Sequence, residues 1–242
     1  MKGFILALQF LTRLPTPRIA ADEAAFATSM RWFPAVGLLI GGLVAGAAWL
    51  GVRVDPWIGA LAALVAWVVV TGALHLDGLS DLADASGAAH KDRERLLAVL
   101  ADPHVGSFGV VAIVLQLIAK LLLLHRLVDA HAFLPLLLVP FAARIGPLAW
   151  TCWLPPLHEG LAARFRSAIR PADIMLWSAV LVAASWFCPV LLAAPLLILW
   201  WGWRIDRTVG GISGDGHGAG IELIETALLL GLAIASSMIS GA

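Results

Sequence analysis

Long apolar stretches separated by short polar segments run through almost the whole chain. A helix needs about 20 mostly apolar residues to cross a bilayer. A stretch at Ile174–Trp203 is longer than one crossing and contains Pro189 and Pro195, which break or kink helices. The pattern predicts an all-α, polytopic transmembrane helical bundle of six to seven spans, seven if Ile174–Trp203 forms a tight helical pair. The other candidate spans are Phe33–Val52, Trp57–Leu74, Phe108–Leu124, Phe133–Trp153 and Ile221–Ile239.

The composition also indicates that a bilayer is the solvent of this chain. Apolar residues make up 61% of the 242 residues and charged residues 13%, whereas water-soluble domains are nearer to about half apolar and about a quarter charged. The formal net charge is zero, which argues against a nucleic-acid partner. We therefore expect lipid as a partner. The composition leaves the oligomeric state open, a homo-oligomer included.

The placement of lysine and arginine predicts which side of the membrane each polar segment faces, because cytoplasmic loops are rich in these residues. With the N-terminus in the cytoplasm, Arg53 and Arg126 fall on the outer side. We expect one multi-pass domain, 1–242, in a bacterial inner membrane, with cytoplasmic loops at 75–107, 154–173 and 204–220. If Ile174–Trp203 crosses only once, its flanking residues Arg204 and Arg207 move outside. The inner set is Lys2, Arg13, Arg18, Arg31, Lys91, Arg93, Arg95, Arg164, Arg166, Arg170, Arg204 and Arg207.

An acidic segment directly follows the second apolar stretch. Asp77, Asp81 and Asp84 are spaced i, i+4 and i+7, which places them on one face of a helix. Three like charges this close repel one another, and a bound cation would relieve the repulsion. Carboxylate oxygens suit hard divalent ions, so we predict a metal site with Mg²⁺ as cofactor, against the alternative of a solvated helix end. His75 precedes the acids and either contacts substrate or is a hydrogen-bonded structural residue.

Two further polar segments carry candidate substrate-binding residues. Asp102 and His104 lie just before an apolar stretch, where they either bind substrate or belong to a turn that caps the next helix. A glycine-rich segment, Arg204–Glu225, precedes the last apolar stretch; its backbone N–H groups and the helix N-terminus after it are suited to phosphate oxygens. The candidates in this segment are Arg204, Arg207, Gly211, Gly214 and Asp215.

Charged side chains also lie within the predicted spans. Lys120 and Arg144 are candidates for substrate binding, because charge inside a membrane is costly. Lys120 is near enough to a helix end to extend its amine to the interface instead, and Glu225 fits an ordinary partner of a helix dipole. A metal, a glycine-rich segment and several cations together favour transfer of a phosphate-linked group.

Five stretches of this chain resemble the cobalamin synthase family, the adenosylcobinamide-GDP ribazoletransferases. They occur in the family's order and span almost the whole chain. The chain departs from the family pattern at Ala73 and Ala85, where glycine is usual, and at His217, where leucine is usual. No acid is lost. The resembling stretches are Gln9–Pro17, Arg31–Gly37, Thr71–Asp84, Asp102–Gly109 and Thr208–Glu225.

The resemblance implies the last assembly step of coenzyme B12, catalysed in the membrane with Mg²⁺. Adenosylcobinamide-GDP and α-ribazole, or its 5′-phosphate, would give the cobalamin product and GMP. The ribazole 3′-hydroxyl would attack the phosphorus attached to the cobinamide arm. On this chain we predict His75 as a further catalytic residue, Asp84 or Glu222 as the proton acceptor, and Arg204–Gly220 as the binding segment for the guanosine diphosphate.

Two other functions remain open from the sequence. One is a membrane enzyme like the CDP-alcohol phosphotransferases, which have a related acidic motif with different spacing. The other is a secondary transporter, whose acids would lie near the middle of the bilayer. The acids of this chain cluster at predicted helix ends, which favours the transferase.

Overall fold

The structure is a computed structural model that describes residues 2–17, 19–20, 22–88, 92–157, 165–166 and 168–240. Within these ranges the protein is helical, with an isolated bridge between Pro156 and Ile212. The all-α prediction is confirmed. The predicted inner residues Arg18, Lys91 and Arg164 lie outside the described residues, as does part of the predicted loop 154–173.

The described helices are numbered here in chain order. They are α1 (Lys2–Leu11), α2 (Glu23–Ala27), α3 (Phe33–Gly51), α4 (Pro56–Thr71), α5 (Leu74–Ala88), α6 (Arg93–Leu100), α7 (Ser107–Asp129), α8 (Phe133–Ala143), α9 (Gly146–Trp153), α10 (Pro171–Ser185), α11 (Ala194–Val209) and α12 (Gly214–Ser240). Two short 3₁₀ helices, Thr28–Trp32 and Pro189–Ala193, precede α3 and α11.

Four helical stretches among the described residues are long and apolar enough to cross a membrane. They are Glu23–Gly51, Ser107–Asp129, Phe133–Trp153 and Gly214–Ser237, and a fifth crossing results if α4 and α5 count as one broken span. Six or seven spans would require shorter apolar helices, such as α1 and α10, to cross as well. The predicted interruption near Pro189 is present between α10 and α11, which have 15 and 16 residues.

The connection between α4 and α5 turns the chain by 85°. Gly72 and Ala73 both have left-handed backbone conformations, with φ of 61° and 60°. This conformation costs an L-residue with a side chain roughly 1–2 kcal/mol and glycine almost nothing. Glycine, which is usual in the family at position 73, would adopt this conformation without strain. Ala73 therefore strains the turn that directs the acidic helix away from the axis of α4.

Close helix packing at glycines holds the centre of the bundle together. A methyl group at Gly78 of α5 would lie 2.7 Å from the Cα of Asp215 in α12, so only glycine permits this approach. On the other side, Gly37 of α3 packs against the backbone of Phe141 in α8. Helix α7 packs against α4, α5 and α12. The acidic helix α5 and the start of α12 are thereby brought together.

Candidate active site

The predicted acidic helix exists, and a fourth acid joins it from another helix. Asp77 is exposed, Asp81 is half-buried and Asp84 is buried on α5. Asp81 interacts electrostatically with Asp77, Asp84 and Asp215, the last at the start of α12. Asp81 lies on α5, outside the four spanning stretches. Its partial burial is the largest cause that raises its pKa, and the like charges around it are the next; together they raise the pKa to about 6. These four residues are called the acidic cluster below.

Asp84 has a structural partner that its spacing did not reveal. Its carboxylate accepts hydrogen bonds from the backbone N–H groups of Gly106, at 2.7 Å, and Gly109, at 2.9 Å. Gly106 is the N-cap residue of α7, so Asp84 supplies from another helix the oxygens that an N-cap side chain usually provides. Asp84 thus fixes α7 against α5, and its roles as a metal ligand and as a base stay predictions.

The acidic cluster has the right donor atoms for Mg²⁺ but is not assembled into a closed site. Within the described ranges, no three side chains of His, Cys, Asp or Glu are grouped closely enough to enclose a metal ion. Mg²⁺ is commonly held by one or two carboxylates together with substrate phosphates and water, so a complete protein cage is not needed. Crowded carboxylates on α5 and α12 fit that kind of binding.

A buried ion network lies deeper in the bundle. Lys120 of α7 contacts Glu222 and Glu225 of α12, each at 2.7 Å, and Arg144 contacts Glu225 at 2.8 Å. All four side chains are at most 5% exposed. Gln116 donates to Glu222 at 2.8 Å. Two buried cations therefore neutralise two buried anions. The predicted substrate roles of Lys120 and Arg144 and the predicted base role of Glu222 stay predictions.

His75 connects this network to the acidic helix. Its Nδ1 lies 3.3 Å from an N–H group of Arg144. Because a guanidinium only donates, Nδ1 must accept, and the ring proton is on Nε2. His75 is 3% exposed, and its Nε2 is buried with no hydrogen-bond partner in the described structure. The imidazole thus has one unused donor.

Beside the acidic cluster is a cavity of about 150 Å³, called the aromatic cavity below. One part of its wall is apolar, with three phenylalanines among eight residues, and the other bears two histidines and two acids of the site. Among its lining residues are Phe10 and Phe33, whose rings stack with centroids 5.8 Å apart. The cavity is lined by Phe10, Leu11, Met30, Phe33, Leu74, His75, Asp77, Pro147, Phe165, Gly214, Asp215, His217, Gly218 and Ile221.

The glycine-rich segment is more helical than its composition suggests. α11 continues to Val209, and α12 begins at Gly214, so residues 210–213 alone join the two helices. Gly210 ends α11 with φ of 83°, and the guanidinium of Arg93 lies against it. Gly211 packs closely against the backbone of Pro155. The first turn of α12 is the remaining candidate for a phosphate, although there the N–H of Gly216 already donates to Ser213 Oγ at 3.1 Å.

Arg204 and Arg207 are exposed near the end of α11. Arg204 contacts Thr208, and the guanidinium of Arg207 lies 5.1 Å from the centre of the Trp203 ring. Arg204 also borders a second, more open cavity of about 220 Å³, which we call the arginine cavity. Leu79, Leu82, Ala83, Ser86, Trp200, Trp201, Ile205, Thr208, Ala219 and Leu223 complete its lining. Between the two cavities lie α5 and α12.

Asp102 and His104 form an exposed pair. Asp102 accepts a hydrogen bond from the backbone N–H of His104 at 3.0 Å, and their side chains are 2.6 Å apart. The side-chain hydrogen bond of His104, and then its backbone hydrogen bond, lower the pKa of Asp102. Neither residue lines either cavity. Their substrate role stays a prediction, and their position near Gly106 agrees with the alternative of a capping turn.

Sequence reasoning missed several residues of this region. Gln116 is an ordinary polar residue in an apolar stretch, and Arg93 was considered only for membrane orientation. The apolar cavity wall was missed because single aromatic residues in a membrane protein carry no local signal. A signal was available for two of them, since Phe10 and Phe33 belong to resembling stretches that had no assigned role.

Comparison with known proteins decides the family. The family described as cobalamin-5-phosphate synthase matches residues 3–233. The chain belongs to this family. It is 75% identical over 238 residues, 97% of each chain, to a protein of Novosphingobium aromaticivorans named adenosylcobinamide-GDP ribazoletransferase. Relatives of the same name are 48% identical in Thiobacillus denitrificans, over all of both chains, and 35% identical in Brevibacillus brevis, over 95% of this chain and 97% of the relative. No solved structure matches.

As a member of the cobalamin-5-phosphate synthase family, the chain is a transferase. Four of the five resembling stretches meet at the aromatic cavity, to which they contribute residues such as Phe10, Phe33, Asp77 and Asp215. The fifth stretch supplies Gly106 and Gly109, which bind Asp84. Stretches that are far apart in the chain thus form one region at one end of the bundle.

Proposed function

We propose that this chain is an Mg²⁺-dependent transferase that joins adenosylcobinamide-GDP to α-ribazole, or its 5′-phosphate, and releases GMP. The observation that carries this proposal is the acidic cluster, two members of which, Asp77 and Asp215, border the aromatic cavity, while a second cavity lies on the other face of α5. One cavity is aromatic and the other is bordered by an exposed arginine. A transferase of this kind must hold an aromatic nucleoside and a charged diphosphate on either side of the reacting phosphorus.

In the proposed reaction, the 3′-hydroxyl oxygen of ribazole forms a bond to the phosphorus attached to the cobinamide arm. The bond from that phosphorus to the GMP phosphate oxygen breaks, and GMP leaves with the electron pair. The hydroxyl proton passes to a carboxylate. Asp215 borders the aromatic cavity, so we add it to Asp84 and Glu222 as a candidate for this proton acceptor.

The metal would be held by Asp77 and Asp81, with Asp215 nearby. When bound, Mg²⁺ supplies positive charge that offsets the charge developing on the diphosphate. Arg204 and Arg207 add further positive charge where the guanosine diphosphate would lie, and planar guanidinium groups suit phosphate oxygens. Repulsion within the acidic cluster favours binding of a cation in the absence of substrate as well.

The proposed location is the bacterial inner membrane, with the site facing the cytoplasm. The basic residues of the sequence and the meeting of the α5, α11 and α12 ends at one end of the bundle support it. Single cysteines replacing Ser86 and Ser213 should both react with a membrane-impermeant thiol reagent from the cytoplasmic side. Labelling from opposite sides would contradict one shared site.

The direct test is an assay of purified protein in liposomes with adenosylcobinamide-GDP, α-ribazole and Mg²⁺. We expect release of GMP and formation of the joined product without a transmembrane gradient. Folded protein that forms neither product would contradict the proposal, and transport of a solute by the same liposomes would favour the transporter. Product formation from a CDP-linked lipid precursor instead would favour the CDP-alcohol phosphotransferase.

A further inference from the structure

The aromatic cavity has walls of two different kinds. Phe10 and Phe33 stack on one another, and Phe165 lies 6.2 Å from Phe33 between ring centres. Met30 and Leu11, both at most 1% exposed, also belong to the apolar side. Such a surface gains free energy by covering a flat apolar ring and gives few hydrogen bonds in return. It therefore selects an aromatic group with little polar character.

The size of the cavity limits what can enter. An apolar cavity of about 150 Å³ in another protein is known to bind benzene, and this cavity has about the same volume. It is large enough for a small aromatic ring system and far too small for a corrin ring. The corrinoid part of the donor must therefore lie outside it, and a nucleoside base is the part of either substrate that fits.

His75 provides one polar contact for such a base. Its Nε2–H is a donor that has no partner among the described residues, and its side chain is almost fully buried beside the cavity. A buried donor without a partner is costly, and a ligand acceptor would satisfy it. A base with a single unprotonated ring nitrogen supplies one such acceptor. Guanine has several donors and acceptors, which the apolar side cannot satisfy and which only the polar side, with Asp77, Asp215 and His217, could pair with.

We propose that the aromatic cavity binds the benzimidazole base of the acceptor nucleoside, with its unsubstituted ring nitrogen accepting from His75. The ribose then lies towards Asp77 and Asp215, which border the same cavity. This assignment rests on the proposed function, since it identifies the cavity with one of the two substrates. It leaves the arginine cavity and the first turn of α12 for the guanosine diphosphate.

The cavity can be reduced without disturbing the protein around it. Gly214 borders the cavity, and a Cβ added there meets no atom within 4 Å. Gly214→Leu should therefore fold normally and place a bulky side chain at the border of the cavity. Gly46→Leu is the matched control, because Gly46 in α3 has equally open space and lies away from the site. His75→Ala removes the proposed donor.

Binding of 5,6-dimethylbenzimidazole to purified protein in detergent is measured by calorimetry, without donor or metal. We expect wild type and Gly46→Leu to bind it alike, and Gly214→Leu to bind at least tenfold more weakly. His75→Ala should weaken binding about fivefold, as expected for one hydrogen bond. 5,6-Dimethylindole, which lacks the acceptor nitrogen, should bind wild type about fivefold more weakly and lose nothing further in His75→Ala.

Kinetics separates this inference from the proposed function. If wild type forms product while Gly214→Leu keeps the wild-type KM for α-ribazole, the cavity assignment is wrong and the transferase stands. If GMP competes with dimethylbenzimidazole and α-ribazole does not, the cavity belongs to the guanosine and the assignment is again wrong. If no product forms although dimethylbenzimidazole binds as described, the proposed function fails and the aromatic site remains.

Discussion

Replacement of Asp84 tests whether this residue acts through a metal or through the N-terminus of α7. Asp84→Ala removes both acceptors of the N–H groups of Gly106 and Gly109. Loss of an N-cap acceptor costs about 1 kcal/mol, and a buried N–H without a partner costs about 1–3 kcal/mol. The lost interaction of the carboxylate with the helix dipole adds about 0.3–1 kcal/mol. We expect Asp84→Ala to lower the free energy of unfolding by about 2–5 kcal/mol, the sum of these contributions.

Asp84→Asn should cost less, about 1–2 kcal/mol, because the amide keeps one acceptor oxygen but turns a donor towards the second N–H group. The measurement is reversible unfolding of the purified protein in mixed micelles, together with the Mg²⁺ dependence of GMP release. Asp81→Ala is the comparison, since Asp81 lies on the same helix among like charges. It should keep or raise stability and increase the Mg²⁺ concentration needed for activity.

The reasoning is refuted if Asp84→Ala unfolds like wild type and shifts the Mg²⁺ dependence as strongly as Asp81→Ala. That result would make Asp84 a metal ligand, as its spacing with Asp77 and Asp81 predicts. A stability loss with a nearly unchanged Mg²⁺ dependence would assign it to the helix cap. The two readouts together therefore separate a ligand from a structural acceptor.

Three other changes have defined outcomes. Ala73→Gly should raise the free energy of unfolding by about 1 kcal/mol, because it removes an alanine from a left-handed backbone conformation. An unchanged free energy of unfolding would show that the turn is not strained. Lys120→Met should destabilise by about 3–5 kcal/mol by leaving buried carboxylate charge unpaired; adding Glu222→Gln should recover part of this loss, and no recovery would argue against the pairing. Arg207→Ala should raise KM for adenosylcobinamide-GDP about tenfold and leave KM for α-ribazole unchanged. The control is Arg53→Ala, which removes another arginine beside a tryptophan and should change neither KM. A rise in KM for α-ribazole would reverse the assignment of the two substrates.

Properties that depend on neighbouring residues were predictable from the sequence. Apolar stretches such as Phe108–Leu124 specify membrane helices because each segment must satisfy its own backbone hydrogen bonds in lipid. The common face of Asp77, Asp81 and Asp84 follows from the helical period alone. The resembling stretches also identified the family, because their residues and order are features of the chain itself. None of these inferences required knowledge of which helices touch.

Pairing between distant segments was decided by the tertiary structure alone. Lys120 and Glu225 are 105 positions apart and meet because α7 packs on α12. Asp84 of α5 binds the N–H groups of Gly106 and Gly109 at the start of α7, a cap that its spacing did not reveal, and its role as a metal ligand stays a prediction. The sequence carries the charge and size of each side chain, but the partners that neutralise it depend on long-range packing, which no local pattern encodes. The aromatic cavity likewise depends on long-range packing, because its lining residues are spread along the sequence from Phe10 to Ile221.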